Sequence, residues 1–191
     1  MEVNWIDDWR LRPVVFSKLF GKQKHSEAAY ALYSAIVEQA RQPVFYTNYQ
    51  VADTVDGRFD MITLHAYLLL RRLKDGDKTS ADLAQAVFDV MFDNFDENLR
   101  EMGVGDIAIG ARVKKMASAF YGRVAAYDDG LARADNEELS KALERNLYKD
   151  VAVEAENLQA MAKYLRSQDE SLESQATETI ISGRVSFGSI K

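Results

Sequence analysis

The stretch 99–123, LREMGVGDIAIGARVKKMASAFYGR, decides the fold. Gly103, Gly105 and Gly110 crowd together just ahead of a helical pattern. Glycine-rich loops in that position often cradle phosphates, but the spacing here is wrong for it. A dinucleotide fingerprint needs G-x-G-x-x-G after a strand. This chain has G-x-G-x-x-x-x-G after a helical pattern, and no G-K-[ST] follows as a P-loop requires. The glycines fit instead as the joint of a helical hairpin. Gly103 stands where a left-handed residue closes a helix, with Val104 placed to touch Leu99. Asp106 is then placed to cap the next helix. Along that helix Ile109, Val113, Met116, Phe120, Val124, Tyr127 and Leu131 recur at three- and four-residue steps.

Gly110 falls inside the second helix, where glycine costs about 1 kcal/mol relative to alanine. With Ala111, Ser118, Gly122 and Ala125 it forms a strip of small side chains, which lets another helix come close. The expected neighbour is a helix of the same domain. A helix of a client or partner is the alternative.

Working outward, the same periodicity continues on both sides. Thr79 or Ser80 opens a helix with Leu83, Val87, Met91, Phe95 and Leu99 on one side. Before it, residues 57–74 are apolar on most sides, the mark of a central buried helix, with Thr54 or Asp56 as its cap. Ser26 caps an earlier helix carrying Ala29, Leu32, Tyr33, Ile36, Val37 and Ala40. Pro43 is expected to end it, and VFYTNYQVADTVDG (44–57) reads as an aromatic loop. Downstream, Asp135 and Glu138 begin a helix over DNEELSKALERNLYK, and a last one covers residues 153–174. The tail TETIISGRVSFGSIK suits a hairpin or a flexible strand. With two prolines and ten glycines in 191 residues, long helices are favoured over many short strands. The expected fold is all-α: a single-domain multi-helix bundle over 25–175, an N-terminal arm over 1–24 and a short irregular tail over 176–191.

Composition narrows the function. No cysteine is present, which excludes disulfides and thiolate metal sites. No apolar run approaches the roughly 18 residues of a membrane span. The acidic start, with Glu2, Asp7 and Asp8, resembles neither a secretory signal nor a transit peptide, so the expected location is the cytoplasm. Net charge is −6, and residues 128–178 hold 13 acidic against 6 basic side chains, which argues against general nucleic-acid binding. The arm mixes Trp5, Trp9, Phe16 and Phe20 with Arg10, Arg12, Lys18 and Lys22. It is expected to fold over the core, and a membrane surface is the alternative.

Candidates for chemistry are few. Asp82, Asp89, Asp93 and Asp96 share one helix face and can be imagined holding magnesium, yet no adjacent Asp pair or second acidic motif accompanies them. A solvated acidic face is the expected reading. Di-iron bundles need Glu-x-x-His pairs, and the residues three before His25 and His65 are Lys22 and Ile62. His65, on the buried helix, is expected to be a hydrogen-bonded core residue rather than a haem ligand. No catalytic residue, metal ligand or cofactor site emerges.

Three ordered blocks do carry a likeness: QARQPVFYTNYQVADTVDGRFDMITLHAYLLLRRL (39–73), FDVMFDNFDENLREMGVGDIAIGARVKKMASAFYGR (88–123) and AY (126–127). Together they resemble the ubiquinol–cytochrome c chaperone family over 30–130, although VADT lacks a proline expected before Asp53. The resemblance implies an all-α, non-catalytic assembly factor without a cofactor. It implies as partners cytochrome b or another cytochrome bc complex subunit, a small partner protein, and contact with the cytoplasmic face of the inner membrane. The client-facing candidates in or beside the matching blocks are Phe45, Tyr46, Tyr49, Arg58, Arg112, Lys114, Lys115 and Arg123. Buried ion pairs are the alternative for Arg58 and Arg123. Met61, Met91, Met102 and Met116 would let such a surface adapt. Two other classes stay open: a metal-dependent enzyme using Asp82–Asp96, and a lipid-surface adaptor using residues 5–24.

Overall fold

The structure is a computed structural model that describes residues 26–74, 76–149 and 151–190; the arm over 1–24 lies outside them. The described residues form eight helices and no strand: α1 Glu27–Ala40, α2 Val44–Thr47, α3 Val55–Lys74, α4 Lys78–Glu101, α5 Asp106–Ala132, α6 Glu137–Asn146, α7 Ala155–Glu173 and α8 Thr177–Ile181. The all-α bundle expected from periodicity is what the chain forms.

Helix α3 is the centre. Thirteen of its twenty residues are buried, from Gly57 to Leu73, and α1, α4 and α7 pack around it. Helix α5 lies against α4, and α6 bridges α5 to α7. The core that results runs from Leu32 and Ile36 through Met61, Leu64, Leu68 and Leu69 to Met91, Ile109 and Leu165.

Local chemistry starts and stops each element. The Ser26 hydroxyl accepts from the Ala29 N–H at 3.2 Å, as expected of a cap. Pro43 does not merely end α1: it stands at the start of the one-turn helix α2, where its missing N–H is no loss. The expected aromatic loop therefore begins as a helix. Thr54 accepts from the Gly57 N–H at 3.1 Å, so α3 begins at Val55, two residues earlier than expected. Asp77, rather than Thr79 or Ser80, caps α4 by accepting from the Ser80 N–H at 3.0 Å.

The hairpin at 102–106 has the geometry its glycines suggest. Gly103 adopts φ +79°, Val104 N–H donates to the Leu99 carbonyl at 3.0 Å, and Gly103 N–H donates to that of Arg100 at 2.9 Å. These are the two bonds of a Schellman motif. One detail is corrected. Gly105 holds the cap position, and Asp106 is the first helical residue, bound to Arg100 across the turn at 2.5 Å. After α8 the chain reverses at Gly183, φ +86°, and continues as an extended strap that bonds to side chains at the end of α7. It forms no hairpin.

Glycines in α5 divide by surroundings. A Cβ at Gly130 would lie 2.7 Å from the Leu139 Cα, so α5 and α6 meet there through the absent side chain. A Cβ at Gly110 or Gly122 would meet nothing within 4 Å. Gly130→Ala is accordingly expected to lower the unfolding free energy by about 1–3 kcal/mol through overpacking, read as a lower urea midpoint. Gly122→Ala should raise stability by up to about 1 kcal/mol. Equal effects of the two substitutions in chemical denaturation would contradict the packing described.

Candidate functional site

Helix α5 turns Ile109, Val113, Ala117, Phe120, Val124 and Tyr127 inward. Its other side faces solvent. Gly110, Ala111, Arg112, Lys114, Lys115, Ser118, Ala119 and Gly122 are all exposed there. Ile107, at the head of the helix, is 100% exposed, and Met102 in the preceding turn is 59% exposed. No acidic residue occurs between Asp106 and Asp128, and the ion pairs found among the described residues engage none of Arg112, Lys114 and Lys115. Among the described residues, the internal neighbour expected for the small-residue strip is not found at Gly110 or Gly122. A solvated helix normally interleaves both signs of charge. This face instead combines unopposed cations, small side chains and an open isoleucine on a protein whose net charge is −6.

The aromatic group expected at the α2–α3 corner splits in two. Phe45 is fully buried, its ring centroid 5.1 Å from that of Tyr164, 5.5 Å from His65 and 5.8 Å from Tyr49. Tyr49 is buried as well, and its carbonyl accepts from the Tyr148 hydroxyl at 2.8 Å. Neither ring faces outward, a correction to the expected client-facing set, because Tyr164 and Tyr148 enclose them from distant parts of the chain. Tyr46 and Arg58 do reach the surface. Tyr46 donates to the Ala40 carbonyl at 2.8 Å, and the Arg58 guanidinium lies 5.8 Å from its ring centre. Arg58 also bonds Asp53 at 2.6 Å, which holds that carboxyl below its usual range, but the pair is exposed rather than buried.

Arg123 belongs to the interior. Its Nη2 lies 2.7 Å from Asp60 Oδ1, and Lys149 Nζ lies 3.5 Å from Asp60 Oδ2. The guanidinium also sits 5.7 Å from the Phe59 ring centre. Asp60 Oδ1 and Arg123 Nη1 lack a partner in hydrogen-bond geometry, so the pair is close but imperfectly satisfied. Burial pushes the Asp60 carboxyl up, against the pull of Arg123 and Lys149. The buried-pair alternative is the one that holds for Arg123.

His65 is fully buried and both ring nitrogens are engaged. The Met61 carbonyl, 2.8 Å from Nδ1, can only accept, so Nδ1 carries the proton. Nε2 then accepts from the Tyr164 hydroxyl at 2.7 Å, and that oxygen accepts in turn from Gln39 Nε2 at 2.9 Å. Burial lowers the histidine pKa to about 4. The core reading of His65 is borne out.

The acidic face of α4 is tied up locally. Asp82 pairs with Lys78 at 2.6 Å, Asp96 with Arg100 at 2.7 Å, and Asp89 accepts from Gln85 at 2.7 Å. No cluster of three or more potential metal ligands occurs among the described residues, and no helix there is long and apolar enough to cross a membrane. Of the four methionines expected to lend adaptability, Met61 and Met91 are core, Met116 is half-buried and only Met102 is open. Sequence reasoning did not single out Ile107, which lies outside the apolar stripe that begins at Ile109 and is fully exposed.

Residues 47–187 match the family model described as ubiquinol–cytochrome C chaperone. The match takes in Tyr49, Arg58, Arg112, Lys114, Lys115 and Arg123, and leaves Phe45 and Tyr46 just outside. Among solved structures, the crystal structure of the Cbp3 homolog from Brucella abortus superposes with a TM-score of 0.79 at 32% identity, covering 97% of both chains. The ubiquinol–cytochrome c reductase complex assembly factor 1 of Mus musculus is 25% identical over 85% of this chain, and that of Homo sapiens 25% over 88%. The chain spans only 55% and 56% of those two relatives' own lengths.

The buried groups make two expectations. Arg123→Met should destabilise the fold by about 2–4 kcal/mol by stranding Asp60, and adding Asp60→Asn should recover part of that loss. Additive losses in a urea double-mutant cycle would contradict the coupling. His65 has a folded pKa below its unfolded 6.5, so its contribution is complete above pH 6.5 and is lost as pH falls toward 4. Wild type should therefore lose about 3 kcal/mol more than His65→Phe between pH 7 and 4. Parallel stability profiles for the two proteins would refute this.

Proposed function

The chain belongs to the ubiquinol–cytochrome c chaperone family, and from that premise we propose that it is an assembly factor for ubiquinol–cytochrome c reductase. It binds cytochrome b, or another subunit of that complex, before the complex is complete. It performs no covalent chemistry, and its work is to occupy a surface that the client later buries. The relatives carry the assembly of this complex in their names, which supports the reading for the region they share with this chain.

The observation that carries the proposal is the outer face of α5. A client with membrane helices presents apolar flanks and charged loops before it packs. Small side chains at Gly110, Ala111, Ser118 and Gly122 admit a helix at close range. Ile107 and Met102 add apolar contact, with methionine able to repack. Arg112, Lys114 and Lys115 fix the partner's sign, since charge complementarity governs specificity and encounter rate. Tyr46 and Arg58 form a second, smaller surface suited to a small partner protein. The protein works in the cytoplasm, against the inner face of the membrane, where nascent cytochrome b emerges.

The test is genetic. Deletion of the gene should abolish the assembled cytochrome bc complex, and the wild-type chain should restore it. The variant Arg112→Glu/Lys114→Glu/Lys115→Glu, altered only at exposed positions, should keep its melting temperature yet restore roughly a third of the complex or less. Normal levels of the complex in the deletion strain would overturn the proposal. Full rescue by the charge-reversed variant would remove the α5 face from it.

A further inference from the structure

The chain has no cysteine, so no thiol stands between an oxidant and its methionines. A thioether needs no deprotonation before it reacts, so access to sulfur, rather than a local pKa, decides which methionine is oxidised first. Access differs sharply along the described residues. Met61, Met91 and Met161 are fully buried, and Met116 is half-buried against the core. Met102 is the open one. Met1 lies outside the described residues.

The place of Met102 separates its side chain from the forces that hold the turn. The hairpin is closed by backbone bonds, from Val104 N–H to Leu99 and from Gly103 N–H to Arg100. Arg100 ties it further by pairing with Asp96 and Asp106. Leu99 and Val104 are the side chains of this turn that pack on the core. Met102 contributes its backbone N–H, which donates to the Asn98 carbonyl at 3.0 Å, and leaves its side chain in solvent. Its thioether can therefore change polarity without loosening the fold. With Ile107 it gives the head of the α5 face its apolar contact.

We propose that Met102 is a reversible oxidation site, with hydrogen peroxide as the oxidant, and that its sulfoxide weakens client binding at the head of the α5 face. The site itself rests on exposure, and its effect on binding rests on the client reading of α5 given above. In the reaction the Sδ lone pair attacks one peroxide oxygen. An S–O bond forms as the O–O bond breaks, and the displaced hydroxide takes the proton from the transferred oxygen and leaves as water. Sulfur loses two electrons and peroxide gains them. The product is a polar, chiral sulfoxide where an apolar, pliable side chain stood. An apolar partner segment then has to desolvate the S–O dipole to make the same contact. Reduction by a methionine sulfoxide reductase removes the oxygen and restores the thioether.

The experiment treats the full chain with hydrogen peroxide and locates the added oxygen by peptide mapping with mass spectrometry. Met102 should gain one oxygen at least about tenfold faster than Met61, Met91 and Met161, with an unchanged melting temperature. Equal rates at Met102 and the buried methionines would overturn the site, as would unfolding on single oxidation at Met102. A photocrosslinking residue at Ala111 then reports on the client, in membranes that are making cytochrome b. Crosslinks to cytochrome b from wild type should fall about threefold or more after oxidation and return after treatment with the reductase. Met102→Leu, which lacks the sulfur, should crosslink equally with and without prior peroxide. Oxidised wild type that crosslinks as well as the untreated protein would overturn the effect on binding and leave α5 as the client face. No crosslink from untreated wild type would remove the client reading and the effect on binding together, while the site stands or falls on its oxidation rates.

Discussion

The need to bury the middle of α3 orders the rest of the molecule. Every residue from Asp60 to Leu70 is buried, so the polar side chains there have no solvent edge and find their partners within the fold. Asp60 meets Arg123 from α5, and His65 meets Tyr164 from α7. Tyr67 donates to Asp128 at 2.8 Å, and Arg71 bridges Asp128 and Asp169, joining α5 to α7. Arg72 reaches past the end of α7 to Thr177 at the head of α8. Apolar burial supplies most of the driving force, but it is tolerant of sliding. These polar contacts, spaced about one helical turn apart, pin the rotation and register of each surrounding helix.

That pinning determines which face of α5 is left over. Arg123 and Asp128 commit one side of the helix to α3, and Phe120 packs its ring against Phe88 of α4. Gly130 lets α6 close over the C-terminal end. What remains outward is the run with Ile107, Gly110, Arg112, Lys114, Lys115 and Gly122. A run of unopposed cations orients an approaching partner before contact is made.

Much of this was legible in the order of the residues. Three- and four-residue spacing located α1, α3, α4 and α5, and Gly103 with Val104 announced the hairpin, because both signals are local. The misplaced cap of α4 is also local in origin: DKTSAD offers Asp77, Thr79 and Ser80 in succession, and propensity alone does not rank them. What could not be read were distances between remote parts. Phe45 and Tyr46 are neighbours of the same chemical kind, yet Tyr164, well over a hundred positions on, takes one into the core and leaves the other at the surface. The open side of the Gly110–Gly122 strip was invisible for the same reason, since a small residue signals close approach without naming the partner. Gln168 and Gln175, which bond the strap after Gly183, gave no signal at all; glutamine on a helix ordinarily means solvent.

The central claim is that the outward face of α5 is where the client sits. The most direct test places a photocrosslinking amino acid at Ile107, Ala111 or Ser118 and, as a control, at Glu144 on α6 or Glu170 on α7, in cells assembling the respiratory complex. Irradiation should link the α5 positions, and not the controls, to cytochrome b or another subunit of ubiquinol–cytochrome c reductase. Crosslinks to that complex from α6 or α7, with none from α5, would contradict it.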